Sequence, residues 1–368
     1  METAAEPPNP ADHVPFRGPF AVSTRELLVG LLGPQPNLAI LLNPERWPAV
    51  RDLSVSNSVA TVIAGLAQDR LPPSDRIWCD QILRQSWLRH EQSLLDLEAV
   101  LSILEAAGIQ PLVLKGPILA RRYYTPAYLR KPSGDVDLAV RTVDLERACA
   151  TLLQAGYAMP LSVRESRLRS HHVELRCAGK PRIELHFRLS HGAYGIPVDN
   201  FFDRSVLWPT PGGRQVLVLE PADQLMHLIL HFAQGRFVSL FHLYEIRRIW
   251  EIAAPEIRRE AVRRAARYRF SGAFALADAA FRVRWGIAML TGDIQFRRTW
   301  LQWQWGPNFY DAYERGFRDQ SANLPFTSRL RRRWLDLQLT DGPADAVRML
   351  RTFLRAAAFQ AAQKAGIR

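Results

Sequence analysis

The longest helical pattern in the chain opens at Ser74-Asp75. Apolar residues at Trp78, Ile82, Trp87, Leu94, Leu95, Leu97, Val100, Leu101 and Leu104 recur at helical spacing, and Gly108 supplies a stop. This predicts a helix of about 30 residues, broken at most once. The texture then changes. PLVLKG (111–116) reads as a short buried strand entering a glycine turn, followed by a short helix around 117–123 and a loop over 124–133. DVDLAV (135–140) alternates cleanly and predicts a strand. Asp144 is expected to cap the helix LERACATLLQA, which Gly156 ends. HHVELRC (171–177), the turn AGKP and RIELHFRL (182–189) predict a β-hairpin. After WPTPGGRQVLVLEP the pattern turns helical, with starts near Pro221, Ser239, Pro255, Ala273 and Ala344.

Before the long helix the signals are thinner. Residues 1–22, rich in Pro and Ala, read as a disordered tail. Ser23-Thr24 is expected to cap a short helix stopped by Gly33-Pro34, and the stretch up to about Asn57 reads as helix-poor. The organisation expected is a helical region over 23–110, an α/β centre over 111–220 and a second helical region over 221–368.

Alternation fixes which side chains share a face. In DVDLAV, Asp135 and Asp137 point one way and Val136, Leu138 and Val140 the other. In RIELHFRL, Arg182, Glu184, His186 and Arg188 oppose Ile183, Leu185, Phe187 and Leu189. Two carboxylates on one half-buried face repel, and a divalent cation removes that penalty. An oxygen-rich site of this kind suits Mg²⁺ or Mn²⁺. If the second strand pairs beside the first, Glu184 adds a third acid, with Glu174 as its rival. Three such acids can hold two ions. Lys115-Gly116 joins a strand end to a helix start, where backbone N–H groups and a lysine suit phosphate.

These residues carry a resemblance. Leu114-Lys115-Gly116, Leu129-Arg130, Ser133-Gly134-Asp135-Val136-Asp137-Leu138 and Ile183-Glu184-Leu185-His186 resemble the uncharacterised nucleotidyltransferase family of the polymerase β-like superfamily. Leu225-Met226-His227-Leu228 through His231, and Leu243-Tyr244-Glu245-Ile246, are similar to the helical segment that follows in that family, where an Asp often stands in place of Glu245. The resemblance implies an α+β fold: a small mixed-sheet nucleotidyltransferase core flanked by N-terminal and C-terminal helical regions. It also implies Asp135, Asp137 and Glu184 as catalytic and metal ligands, with Mg²⁺ or Mn²⁺ as cofactor. Lys115, Gly116, Arg130, Ser133, Gly134 and His186 are the nucleotide-binding candidates. The implied partners are a nucleoside triphosphate donor and an acceptor that is a peptide natural product, a small molecule or RNA, in a bacterial accessory enzyme. Gly116-Pro117 departs from the usual Gly-Ser or Gly-Gly. Pro117 lacks an N–H, a loss Lys115 is expected to offset.

Several residues keep a plainer reading beside this one. Arg130 either steers a triphosphate or pairs with Asp135. Glu184 has Arg176 and Arg182 as alternative partners. His171 and His172 read as hairpin residues rather than ligands, and Trp300, Trp303 and Trp305 as packing. The run RREAVRRAARYR (258–269) reads as a solvated helix face.

Composition adjusts the picture only slightly. The net charge of +12 invites an RNA partner, and with it a toxin-like enzyme that nucleotidylates tRNA, but only four of the 48 basic residues are lysines, as in many Arg-rich chains. A non-catalytic nucleotide-binding protein that keeps the fold is the remaining alternative. No apolar run of eighteen residues suggests a membrane span, METAAEPPNPADHVPF is unlike a secretory signal, and a cytoplasmic location is expected. Cys79, Cys149 and Cys177 are widely spaced and read as small buried residues.

Overall fold

A computed structural model describes residues 22–290, apart from 42, 44, 191–195 and 236–238, together with 337 and 341–364. The N-terminal tail and the tryptophans at 300, 303 and 305 lie outside the described residues.

Four helices come first: α1 (Val22–Leu31), α2 (Trp47–Ser56), α3 (Ala60–Ala67) and α4 (Pro73–Ala106). The core follows: β1 (Leu112–Val113), α5 (Gly116–Tyr123), β2 (Asp135–Ala139), α6 (Leu145–Gln154), α7 (Val163–Arg169), β3 (His172–Leu175), β4 (Arg182–His186), α8 (Asp199–Phe202), β5 (Val206–Pro209) and β6 (Gln215–Val218). Then come α9 (Pro221–Gln234), α10 (Leu240–Ile252), α11 (Pro255–Arg267), α12 (Ser271–Trp285) and a further helix, Pro343–Lys364. The strands make one mixed sheet in the order β3-β4-β2-β1-β6-β5. β2 runs parallel to β4 and β1 parallel to β6; the other neighbours are antiparallel. This is the α+β arrangement expected, with every named strand between Leu112 and Val218. No described helix is long and apolar enough to cross a membrane.

Packing explains the layers. The apolar alternates of β2, β3 and β4 (Val136, Leu138, Val173, Leu175, Ile183, Leu185) bury against α6 and the C-terminal half of α4, through Leu94, Leu97, Val100, Leu101 and Leu104. A second core gathers α9 to α12 against Leu112, Leu114 and Ala139. A third packs α1 to α3 and the start of α4 on Tyr124, Leu240, Phe241 and Tyr244. The polar face of β2 and β4 is left to the site.

Several expectations are corrected. α4 is the long helix expected, unbroken over 34 residues, but Trp87 and Leu95, assigned to its apolar stripe, are exposed. α1 begins at Val22, so Ser23 and Thr24 sit in its first turn rather than capping it. The supposedly helix-poor stretch contains α2, whose Trp47, Val50 and Leu53 are buried; tertiary packing offsets its weak local propensity. Asp144 stands at the N-cap of α6, but its side chain makes no cap bond and instead accepts from Arg147 at 2.8 Å. The segment before α9 holds the hairpin β5–β6, and α7 carries a capping box, Ser162 with Glu165. Cys79 and Cys149 are buried, whereas Cys177 is partly exposed. Most of the basic run falls on α11, where Ala261, Val262 and Ala265 face the core and Arg259 and Arg263 pair with Glu256 and Glu260 on the surface.

Candidate active site

Strand register assembles the site. In the parallel pair, Asp135 lies opposite Arg182, Asp137 opposite Glu184 and Ala139 opposite His186. In the antiparallel pair, Glu174 lies opposite Glu184 and His172 opposite His186. One sheet face therefore carries Asp135, Asp137, Arg182, Glu184, His186, His172 and Glu174.

The two aspartates share that face but differ in surroundings. Asp137 is buried; Lys115 Nζ sits 2.8 Å from its Oδ1 and His186 Nε2 lies 3.3 Å from the same oxygen. Burial alone raises a carboxyl pKa, yet Lys115 and His186 outweigh it and hold Asp137 well below the usual carboxylate range. Asp135 is more open. It accepts from Ser133 Oγ at 2.6 Å and from Arg182 Nη2 at 2.7 Å. Glu184 lies between, 3.4 Å from Arg182 and 3.7 Å from both His172 and His186. Its pKa is raised, first by burial and then by the charge of Asp137. Glu174 pairs with Arg176 at 2.5 Å and with Arg182 at 3.9 Å, one strand further from Asp137.

The approach to the sheet matters as much. Lys115 is the N-cap of α5, and Gly116 adopts φ +72°, a left-handed conformation that costs glycine little. A Cβ built there meets nothing within 4 Å, as it does at the exposed Gly134. Gly134 is exposed, whereas Gly116 is itself buried and has free room only where a Cβ would lie.

Arg130 is corrected. Its guanidinium neither pairs with Asp135 nor faces solvent. It forms a two-pronged pair with Glu245 on α10, at 2.5 and 3.3 Å, with Arg130 6% and Glu245 1% exposed. This pair fastens the loop before β2 to the C-terminal helices. His227 on α9 enters the resemblance without a role of its own. It is 2% exposed, neither ring nitrogen has a hydrogen-bond partner, and burial, then Lys115 and His186, push its pKa well below the usual value. Only the long-range packing of α9 gives that residue its setting.

A profile of the family described as uncharacterised nucleotidyltransferase matches residues 44–280. The chain belongs to that family. The matched residues include β1 to β6, every residue of the face just described, and helices α9 to α11. No curated protein matches the chain. Among solved structures it is similar to the solution structure of the antibiotic-resistance factor ANT(2'')-Ia, at 10% identity and a TM-score of 0.37, over 48% of this chain and 94% of that one. A likeness at that score carries no argument about substrate.

For a member of this family the question is which side chains suit a divalent cation. Asp137, Glu184 and His186 each offer a ligand atom within 4.8 Å of the others, and the charge of Asp137 is balanced by Lys115. The donor set fits a cation at Asp137 and Glu184. Asp135 fits less directly, since Ser133 and Arg182 hold its two oxygens.

Proposed function

We propose that the protein transfers a nucleoside monophosphate from a nucleoside triphosphate to an acceptor hydroxyl or phosphate, with Mg²⁺ or Mn²⁺. What carries this reading is the register that sets Asp137 beside Glu184 on parallel strands, with Lys115 at the start of α5 against Asp137.

Asp135, Asp137 and Glu184 are the residues that would hold the ion, with Asp135 exchanging Arg182 for it. When bound, a divalent ion neutralises charge on the phosphoryl oxygens and acts as a Lewis acid there. The rest falls to the chain. Lys115 and the unhindered side of the Gly116 turn bind and orient the phosphates, supported by the N-terminus of α5. Ser133 and Gly134 border the same face. Arg130 is assigned no phosphate contact; through Glu245 it fixes the loop that leads to β2. Glu184, with its raised pKa, serves as base. The acceptor oxygen attacks the α-phosphorus, its proton passes to Glu184, and the bond to the bridging oxygen breaks to release pyrophosphate. Catalysis is then chiefly positioning and charge neutralisation.

The test is thermal shift with each of the four NTPs, with and without Mg²⁺, on the wild type and on the double variant Asp135→Asn/Asp137→Asn. A ligand at a hundred times its dissociation constant adds about 2.7 kcal/mol. A metal-dependent shift with one NTP, lost in the variant, is the expected result. No shift with any NTP refutes the triphosphate donor. Transfer of label from that NTP to a peptide, a small molecule or tRNA then identifies the acceptor, and binding without turnover selects the non-catalytic alternative.

A further inference from the structure

The same sheet face carries a second group of ligand-bearing side chains, of a different chemistry. His172 and His186 stand opposite each other across β3 and β4. His171 is fixed just before β3, where its carbonyl accepts from the backbone N–H groups of Phe187 and Arg188 at 3.1 and 3.2 Å. The three rings form a triangle, with centroids 4.6, 5.1 and 5.2 Å apart. One ligand atom from each lies within 4.8 Å of the others.

Two further observations point to a ligand. His186 is 1% exposed, and its Nδ1 is buried with no hydrogen-bond partner. A buried polar atom left so is destabilising unless something outside the polypeptide completes it. Glu184 Oε2 lies 3.7 Å from both His172 Nδ1 and His186 Nε2, which places a carboxylate beside the imidazoles.

We propose that His171, His172 and His186 form a site for a late first-row transition-metal ion, Zn²⁺ foremost. Neutral imidazole suits Zn²⁺, Co²⁺, Ni²⁺ and Cu²⁺, whereas Mg²⁺ prefers an all-oxygen, octahedral shell. Three nitrogens with a solvent oxygen in the fourth place match a four-coordinate zinc site. Bond lengths of about 2.0–2.1 Å put tetrahedral nitrogens roughly 3.4 Å apart. The rings therefore close by no more than about 1.4 Å on binding, from the 4.8 Å bound above. Paired strands hold two of the ligands, which limits the rearrangement required. The inference rests on the imidazole group; it shares His186 with the face assigned to the transferase, and because its probe is a metal ion alone the two readings fail separately.

The experiment uses the full chain, stripped with chelator and free of nucleotide, titrated with Co²⁺ and followed by visible absorption. One equivalent is expected to give the intense bands of four-coordinate cobalt. Zn²⁺ should abolish them, and a large excess of Mg²⁺ should not. Loss of an outer partner costs a metal site 10–100-fold, so His171→Gln and His172→Gln, each removing a ligand, should weaken Co²⁺ binding by about 100-fold or more. Their urea midpoints in chelator should match the wild type. Absence of the bands in the wild type overturns the proposal even if neither variant folds. So does binding of unchanged affinity in both variants, which assigns the ion to Asp137 and Glu184 alone. A failure to transfer nucleotide alters neither outcome.

Discussion

Lysine 115 is the sharpest place to test how the site is balanced. Its ammonium is the main counter-charge of a buried carboxylate, 2.8 Å away, with side-chain exposures of 10% for Lys115 and 2% for Asp137. Lys115→Met keeps most of the stem and removes the charge. Breaking a buried pair by deleting one partner costs about 3–5 kcal/mol, and the lower end applies here because His186 still faces Asp137 at 3.3 Å. The pH dependence has a definite sign. In the wild type, Asp137 has a depressed pKa, so its contribution is present above the unfolded value of about 3.9 and is lost as pH falls through the folded one. In the variant, burial acts with less opposition and raises that pKa. The protonated form is then favoured on folding, and stability falls as pH rises through the raised value. The deficit should therefore be near 3 kcal/mol at neutral pH and shrink toward pH 4 or so. Urea unfolding in chelator measures it. Adding Mn²⁺ should recover more stability in the variant than in the wild type, about 2.7 kcal/mol at a hundred times the dissociation constant, because no lysine then competes for Asp137. A variant within about 0.5 kcal/mol of wild type in chelator at pH 7, the usual range for surface substitutions, refutes the charge-balance reasoning.

Other tests address the surroundings. Glu245→Ala should strand the buried Arg130 and cost about 3–5 kcal/mol, a melting decrease of roughly 4–7 °C for a chain of 368 residues, whereas Arg130→Met with Glu245→Leu should recover most of it; a single variant that melts like wild type removes the pair from any anchoring role. His227 is buried with a depressed pKa, beside the positive groups Lys115 and His186 and the negative Asp137. The unfolded chain therefore takes up a proton below about pH 6.5 that the folded chain refuses, and stability should fall with acid at up to roughly 1.4 kcal/mol per pH unit. Urea midpoints between pH 7 and 5 in wild type and His227→Gln should show the slope reduced in the variant; equal slopes contradict the assignment. Gly116→Ala meets no neighbouring atom, so its cost should be confined to the left-handed backbone, about 1–2 kcal/mol, accompanied by a raised KM for the triphosphate. A neutral alanine there would mean that the turn relaxes freely.

Much of the core was legible because its signals are local. Period-two alternation placed Asp135 with Asp137, and Glu184 with His186, before any pairing was known. Proline, serine and glycine marked the starts of α9, α10 and α11 and the end of α6 within a residue or two. Some local signals were present and went unread. The Ser162–Glu165 capping box marks α7, and the Pro-Gly-Gly turn between two β-rich runs marks the hairpin β5–β6. α2 offered only Pro48 in its first turn. Its residues have weak helix propensity, and burial of Trp47, Val50 and Leu53 holds it.

The sequence by itself determined the faces: which acids share a side of a strand, and where a glycine must turn the chain ahead of a helix. Alternation and backbone sterics act within a few residues, so no partner is needed to read them. Only the tertiary structure decided which charge meets which. Register across β2 and β4 set Asp137 beside Glu184 and Asp135 beside Arg182. The fold brought Lys115 to Asp137, drew Arg130 to Glu245 on a helix 115 residues away, and closed three histidines into one triangle. These pairings follow from desolvation. A buried charge takes the nearest opposite charge that the packed elements deliver, and that delivery is set by contacts between segments far apart in the chain.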